Sequence, residues 1–308
     1  METPAATAAR GLEVSARRFR QVAGAATLML LVVVATGATV RLTASGLGCQ
    51  HWPGCQPGQP FPERGFHSYV EFGNRVVAFL TIVATLAAGI VSLFVAGLAR
   101  RVKVLAWFCF AGTLGQAPLG AVTVYYDLDP WLVLSHFLLS LVVLTAGVVL
   151  LLEALGLERG WTRPLVPGRL RVVAALFGAA LVSMVLTGTF VTAAGPHPGS
   201  SEGVRRLGNF QTAIEVHVRA TAAFGLLLLL LLVALWRRPC ARRLLYATLG
   251  VLAVVLLQMA IGEIQYRNRL PWWLVLGHVT TAAVVWAATV ALVCSFFRPV
   301  AALATSRE

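Results

Sequence analysis

Gln116-Ala-Pro-Leu-Gly120, followed by Trp131-Leu-Val-Leu-Ser-His136, is the stretch of this sequence that decides its fold, because it occurs twice. The second copy is Gln258-Met-Ala-Ile-Gly262 followed by Trp273-Leu-Val-Leu-Gly-His278. It lies 142 positions further on and keeps the spacing between Gln, Gly and His. A repeat of this kind indicates a duplicated structural unit. A histidine at the same depth in each copy predicts paired cofactor or ion sites.

The composition indicates a membrane protein. Of the 308 residues, 58% are hydrophobic and 12% are charged, and the mean hydropathy is +0.80. About 20 apolar residues in a helix cross the ~30 Å core of a bilayer, and the first such segment is too long for the apolar part of a signal peptide. We predict an all-α polytopic membrane protein whose eight transmembrane helices form two pseudo-symmetric four-helix bundles. The predicted spans are 20–42, 71–98, 102–125, 131–154, 169–193, 211–236, 241–264 and 271–296.

The basic residues indicate how the chain is oriented. Of the 25 Lys and Arg residues, 17 lie on the side of the spans that holds both termini. The positive-inside rule makes that side cytoplasmic, so the net charge of +13 reports orientation and gives no sign of a nucleic-acid partner. The other eight are Arg residues at the outer side, where they either snorkel to the interface or pair with the carboxylates of an anionic ligand. The second role is favoured for Arg75 and Arg219.

These predictions divide the chain into four parts. They are a cytoplasmic N-terminal segment (1–19), an N-terminal bundle (20–158) with an outer cysteine-containing loop (43–70), a C-terminal bundle (159–298) and a cytoplasmic tail (299–308). We expect a multi-pass protein of the cell membrane, with its sites toward the outer face.

Three of the six histidines lie inside predicted spans, one to two turns from the outer end: His136, His217 and His278. Ionisable residues inside a membrane usually face the bundle interior and mark functional sites, although one such His alone could be a hydrogen-bonded packing residue. Shifting His217 back by 143 positions leads to Asn74. The second half therefore offers a His pair, and the first half offers His136 with Asn74, which has Glu71 one turn before it.

Two neutral imidazoles on facing helices in an apolar interior are suited to axial ligation of haem iron. Zinc would need four ligands, including thiolate or carboxylate, and none stands beside His217 and His278 in the sequence. A proton relay would need a chain of acidic residues, and the intramembrane Glu residues are scattered. The sequence therefore favours haem.

Several motifs follow one another along the chain in a fixed order. They are Gly46-Leu-Gly-Cys49-Gln-His-Trp52-Pro53-Gly-Cys55, His67-Ser-x-x-Glu71-x-x-Asn74-Arg75, Gln116-x-x-x-Gly120, His136-Phe137, Thr187-Gly188-x-x-Val191-x-x-x-Gly195-Pro196-His197, His217 and His278. At these residues the chain resembles the haem A synthase family (CtaA/Cox15). The resemblance covers nearly the whole length.

The resemblance implies a specific reaction. Members of this family oxidise the C8 methyl of haem O to a formyl group by successive hydroxylations, which gives haem A for terminal oxidases. It implies a haem b cofactor held by His217 and His278, a substrate-haem site containing His136, Asn74 and Arg75, and Glu71 as the catalytic residue. Arg219 would contact a haem propionate. A complex with haem O synthase, the protohaem farnesyltransferase, is expected, and the electron acceptor is not named by the sequence.

One residue departs from the family pattern. The family often has His where this chain has Asn74, and Asn is a poor iron ligand. The substrate haem is therefore expected to be held axially by His136 alone, with one face open. This departure bears on the ligation of the substrate haem and leaves the reaction class unchanged.

Cys49 and Cys55 lie six positions apart in the outer loop, which faces an oxidising compartment, so we predict a disulfide. It could be structural or could exchange electrons with an external thiol partner, and zinc binding is a third alternative.

Two other classes of function compete with the enzyme. A b-type cytochrome that only transfers electrons would need neither Glu71 nor the cysteine loop. A haem or small-molecule transporter is suggested by the repeat, but each half has four spans, so the halves are parallel rather than inverted, which weakens that interpretation.

Overall fold

The computed structural model describes residues 13–49, 51, 54–56, 58–59, 61–62, 65–162, 166–200, 204–238, 241–297 and 300–301. Within these ranges the chain forms eight long helices and one pair of two-residue strands. The elements are α1 (Ala16–Leu42), α2 (Phe66–Leu93), α3 (Arg100–Tyr125), α4 (Pro130–Arg159), β1 (Trp161–Thr162), α5 (Gly168–Ala194), α6 (Phe210–Trp236), α7 (Arg242–Arg267), α8 (Trp272–Phe297) and β2 (Val300–Ala301). Residues 1–12 and 302–308 of the predicted terminal segments lie outside the described residues.

The predicted all-α membrane class is confirmed, since the eight helices of the described ranges are each long and apolar enough to cross a membrane. The second span begins and ends earlier than predicted: the helix is Phe66–Leu93, not 71–98. The antiparallel pairing of β1 with β2 was not predicted. Strands of two residues are too short to show an alternating pattern in the sequence.

Local sequence explains where several helices begin. Side chains of Ser15, Asp129 and Asn209 accept a backbone N–H from the first turns of α1, α4 and α6. Such capping satisfies donors that a helix start leaves unpaired. Pro130 is the first residue of α4, where its missing N–H costs nothing.

The duplicated sequence folds into the same turn twice. Asp127 and Leu128, between α3 and α4, have φ values of 49° and 59°, and Arg269 and Leu270, between α7 and α8, have 61° and 59°. Leu128 N–H bonds to Thr123 O at 2.9 Å, and Leu270 N–H bonds to Gln265 O at 2.8 Å. Two consecutive left-handed non-glycine residues are costly, so the turns have a shared, specific geometry that places His136 and His278 at matching depths.

Each half of the chain closes as a ring of neighbouring helices. In the first half α1 contacts α2 and α4, and α3 also contacts both α2 and α4; in the second half α5–α8 make the corresponding contacts. The halves meet through α1, α4, α5 and α8. The pseudo-symmetric relation between the two bundles stays a prediction.

Hydrogen bonds join the halves at more than one level. Trp286 Nε1 of α8 donates to Thr145 Oγ1 of α4 at 2.8 Å, inside an apolar cluster formed by α1, α4 and α8. Toward the ends that carry the repeated turns, Gly46 N–H donates to Gly199 O at 2.8 Å and Ser45 bridges Ser200. These contacts fix the position of one half relative to the other.

Candidate functional site

One large cavity brings the predicted site residues together. Its volume is about 1940 Å³, and helices of both halves line it. A pocket for one drug-sized ligand is typically about 300–1,000 Å³, so this cavity has room for more than one bulky group. The predicted residues that line it are Glu71, Asn74, Arg75, His136, His217, Arg219 and His278.

Each intramembrane histidine packs against a glycine of the preceding helix. A Cβ placed on Gly188 would lie 3.0 Å from His217 Cε1, and one on Gly262 would lie 3.0 Å from His278 Cε1. For Gly120 and His136 Cε1 the distance is 3.5 Å. The missing side chains therefore give the imidazole rings the space in which they lie.

The hydrogen bonds of His217 identify its free nitrogen. Its Nδ1 lies 3.0 Å from Met184 O and 3.2 Å from Thr187 Oγ1. A carbonyl can only accept, so Nδ1 carries the proton and Nε2 is the nitrogen with a lone pair for a metal. Histidine ligands are typically oriented by such a bond at the second nitrogen.

The glutamines of the repeat bond to the backbone carbonyls of the other two histidines. Gln116 Nε2 donates to His136 O at 3.2 Å, and Gln258 Nε2 donates to His278 O at 3.0 Å. These bonds join α3 to α4 and α7 to α8. Among the described residues, Nδ1 of His136 and of His278 and Oε1 of both Gln residues are buried without a hydrogen-bond partner. Buried polar atoms are normally satisfied, so these atoms are candidates to bond a group that the cavity holds.

Asn74 on α2 takes the place that the three intramembrane histidines take on α4, α6 and α8. It faces Gly37 of α1, since a Cβ on Gly37 would lie 3.9 Å from Asn74 Oδ1. The same oxygen accepts a hydrogen bond from Thr36 Oγ1 at 2.7 Å. Thr36 was not predicted as a site residue, although it has a counterpart in the second half. Thr36-Gly37 corresponds to Thr187-Gly188, and Thr187 Oγ1 lies 3.2 Å from His217 Nδ1.

Glu71 and Arg75 hold the cysteine loop. Glu71 is 5% exposed; its Oε1 lies 2.6 Å from Arg75 Nη2, and its Oε2 accepts Cys49 N–H at 2.8 Å. Arg75 also donates to the carbonyls of Cys49 (3.2 Å), His51 (2.7 Å) and Gly54 (2.5 Å). A buried carboxylate held by a guanidinium and a backbone N–H has a fixed position, so Glu71 stands rigidly at the cavity wall.

The disulfide between Cys49 and Cys55 is present. It closes the loop that Glu71 and Arg75 hold. Trp52 and Pro53, which belong to the same motif, lie outside the described residues.

Arg219 differs from Arg75 in its surroundings. Its side chain is 77% exposed and lies 3.5 Å from Glu215 Oε2. An exposed pair of this kind contributes little to stability, so the guanidinium can turn toward a ligand at low cost. Its predicted contact with a haem propionate stays a prediction.

Arg41 is a structural residue that the sequence left ambiguous. Its guanidinium donates to Thr192 O at 2.6 Å and to His197 O at 3.0 Å, which joins α1 to the end of α5. His197 Nε2 in turn bonds to Leu270 O at 2.8 Å. The helix dipole favours a cation at the carboxyl end of α5. From the sequence alone, an Arg near the end of a span could equally extend its charge to the membrane interface.

Comparison with known proteins identifies the family of this chain. The family model for cytochrome oxidase assembly protein (COX15-CtaA) matches residues 20–64 and 60–290. The chain belongs to this family. Among its relatives, a heme A synthase of Exiguobacterium sp. is 27% identical over 269 residues, which are 83% of each chain. A heme A synthase of Bacillus pumilus is 30% identical over 143 residues, so that match spans 46% of either chain.

Another relative in the same comparison has a different name. A protoheme IX farnesyltransferase of Halobacterium salinarum is 32% identical over 109 residues, which are 35% of this chain and 23% of that protein. The COX15-CtaA family membership rests on the match to the family model, which extends over both halves of the chain.

Proposed function

We propose that this protein is a haem A synthase, which oxidises the C8 methyl of haem O to a formyl group and so supplies haem A to terminal oxidases. The observation that carries the proposal is the unequal pair of donor sets on one cavity. The second half offers His217 and His278, whereas the first half offers His136 together with a fixed carboxylate, Glu71. A cofactor that stays bound and a substrate that must leave call for two sites with different ligands. Membership of the COX15-CtaA family supports the proposed reaction.

The second half (159–298) is proposed to hold haem b. His217 and His278 would be the axial ligands, and Arg219 would contact a propionate. Bound there, haem b supplies one-electron redox chemistry. The protein orients the imidazole ring of His217 through its hydrogen bond with Met184 O. It also supplies an apolar surrounding and allows Arg219 to approach the haem from the outer side.

The first half (20–158) is proposed to hold the substrate haem. His136 would bind it, with Asn74 and Arg75 beside it. Glu71, one turn before Asn74 on α2, is the proposed catalytic group, because it is the acidic side chain fixed at this part of the cavity and can accept the proton that leaves as the methyl carbon is oxidised. Each of two hydroxylations replaces a C–H bond of the methyl by a C–O bond with oxygen from water, and releases two electrons and two protons. The resulting gem-diol loses water to leave the formyl group. The electrons pass to an acceptor outside this chain.

The location and the partners are part of the same proposal. Positive residues at the terminal side support a cell-membrane protein with both termini cytoplasmic and the haem sites toward the outer face. Haem O synthase is the proposed supplier of substrate, and one relative that shares a 109-residue segment with this chain is itself named protoheme IX farnesyltransferase. The Cys49–Cys55 disulfide could also serve an external thiol partner.

Haem analysis of protein purified from cells that supply haem O tests the proposal. Wild type should contain haem b together with haem O or haem A. Glu71→Gln should keep haem b and lose haem A, and His278→Ala should lose haem b. Glu263→Gln is the matched control, because Glu263 forms the same i,i+4 pair with an Arg but is 59% exposed; it should still form haem A.

Two outcomes would overturn the proposal. Haem b alone in wild type, unchanged in Glu71→Gln, would indicate an electron-transfer cytochrome. Protein that contains no haem under these conditions would indicate a transporter.

A further inference from the structure

Asn74 stands in the first half where His217 stands in the second. Both residues lie in the opening turns of the second helix of their half, line the cavity and face a glycine of the preceding helix, Gly37 or Gly188. The two halves therefore present different atoms at equivalent places. His217 presents an imidazole nitrogen with a lone pair, and Asn74 presents a carboxamide.

The carboxamide of Asn74 is a poor metal ligand. Its oxygen is the atom of the group that could bind a metal, and the 2.7 Å hydrogen bond from Thr36 Oγ1 on α1 engages one of the two lone pairs of this oxygen. The remaining group, Nδ2, has two N–H donors and no lone pair available to a metal. The side chain is also shorter than a histidine, so it leaves space that an imidazole would fill.

The candidate ligands that precede Asn74 on α2 are held elsewhere. His67, two turns earlier, is not among the residues that line the cavity, and its Nδ1 lies 2.9 Å from Ser45 Oγ. Glu71 lies three residues before Asn74, but its two carboxylate oxygens are held by Arg75 and by Cys49 N–H. Moving it toward an iron would break a buried ion pair and a backbone hydrogen bond, which is unfavourable in an apolar surrounding.

We propose that the haem of the first half is bound by the protein through His136 alone, and that its opposite axial position is a binding site for a small exogenous ligand of the water or diatomic-gas class. Asn74 Nδ2 donates a hydrogen bond to that ligand, and Thr36 holds the carboxamide in the donating orientation. The inference rests on the proposed function for the presence of a haem in this half. The polarity and donors of the pocket beside a haem decide which ligands bind there.

Carbon monoxide is the probe that tests this site, because it binds ferrous haem only where an axial position is open. Reduced wild-type protein carrying both haems should bind CO at the first-half haem and leave haem b low-spin. Asn74→His should build the second histidine of a pair, as in the other half, and should lose CO binding while the first-half haem becomes low-spin. Thr36→Val should keep CO binding but shift the C–O stretching frequency, because Asn74 loses the contact that orients its donor.

The reciprocal variant keeps the test decisive if Asn74→His does not assemble. His217→Asn places the first-half residue in the second half, and haem b should then bind CO, which it does not do in wild type. CO-silent wild type with both haems bound, or Asn74→His binding CO as wild type does, would overturn the inference.

These outcomes are distinguishable from failure of the proposed function. If CO binds at the first-half haem and haem A is never formed, the enzymatic proposal fails and the open site stands. If haem A is formed by protein whose first-half haem is CO-silent and low-spin, the inference fails and the enzymatic proposal stands.

Discussion

A single methyl group added at Gly262 is expected to lower the affinity of the protein for haem b. In Gly262→Ala the new Cβ would lie 3.0 Å from His278 Cε1 and 3.4 Å from His278 Nδ1. Carbon atoms pack favourably at about 3.5–4.0 Å, so the ring must withdraw by roughly half an ångström. His278 is a proposed axial ligand, and its displacement changes the direction in which its nitrogen points.

The size of the effect follows from two opposing contributions. Alanine is favoured over glycine inside a helix by about 1 kcal/mol, whereas overpacking a tight interior costs about 1–3 kcal/mol. The stability of the chain should therefore fall by no more than ~2 kcal/mol. Disturbing the orientation of a metal-binding histidine typically costs about 10–100-fold in affinity, so loss of haem b should change more than stability does.

The rate at which haem b leaves the detergent-solubilised protein for a haem-scavenging apoprotein measures the loss of haem affinity. Thermal unfolding of the same samples measures the loss of stability. Gly250→Ala is the matched control, because Gly250 lies on the same helix and a Cβ there meets no atom within 4 Å. It should retain haem b as wild type does and be slightly more stable. If Gly262→Ala releases haem b no faster than Gly250→Ala, the proposed contact between this glycine and an axial ligand is refuted.

Three further changes test other contacts. Trp286→Phe removes the hydrogen bond to Thr145, whose hydroxyl keeps its bond to Leu141 O. The protein should lose about 1 kcal/mol of stability, which a modest fall in the unfolding temperature would show. An unchanged temperature would show that this bond does not hold the halves together. Arg75→Gln removes the donors that hold the carbonyls of the cysteine loop. A water-soluble thiol should therefore reduce the Cys49–Cys55 disulfide faster in this variant than in the control variant Arg219→Gln. Equal rates of reduction would contradict the role of Arg75. Arg41→Gln should make the segment after α5 more accessible to protease, since its bonds to Thr192 O and His197 O are lost, and an unchanged cleavage pattern would argue against this joint.

The local sequence was enough to predict the eight long helices. Apolar length predicts a span because a bilayer has a nearly fixed thickness, and eight spans were found as eight helices. The repeat predicted equivalent positions for His136 and His278. The chain forms the same left-handed turn before the helix of each, although only the Leu of the two turn residues is repeated. The spacing of Cys49 and Cys55 predicted their disulfide.

The sequence by itself thus determined which residues stand at the level of the site, and the tertiary structure decided what each of them touches. Arg75 was expected beside a substrate, and the structure gives its guanidinium to Glu71 and to three carbonyls of the cysteine loop. Met184 carries no signal in the chain, and the match of Thr36-Gly37 to Thr187-Gly188 is too short to show a contact. Yet Thr36 holds Asn74, and Met184 holds His217. The physical reason is one of range. Hydropathy and helical period act between neighbours in sequence, whereas a hydrogen bond between helices depends on the angle and rotation at which they pack, and these are set by many contacts at once.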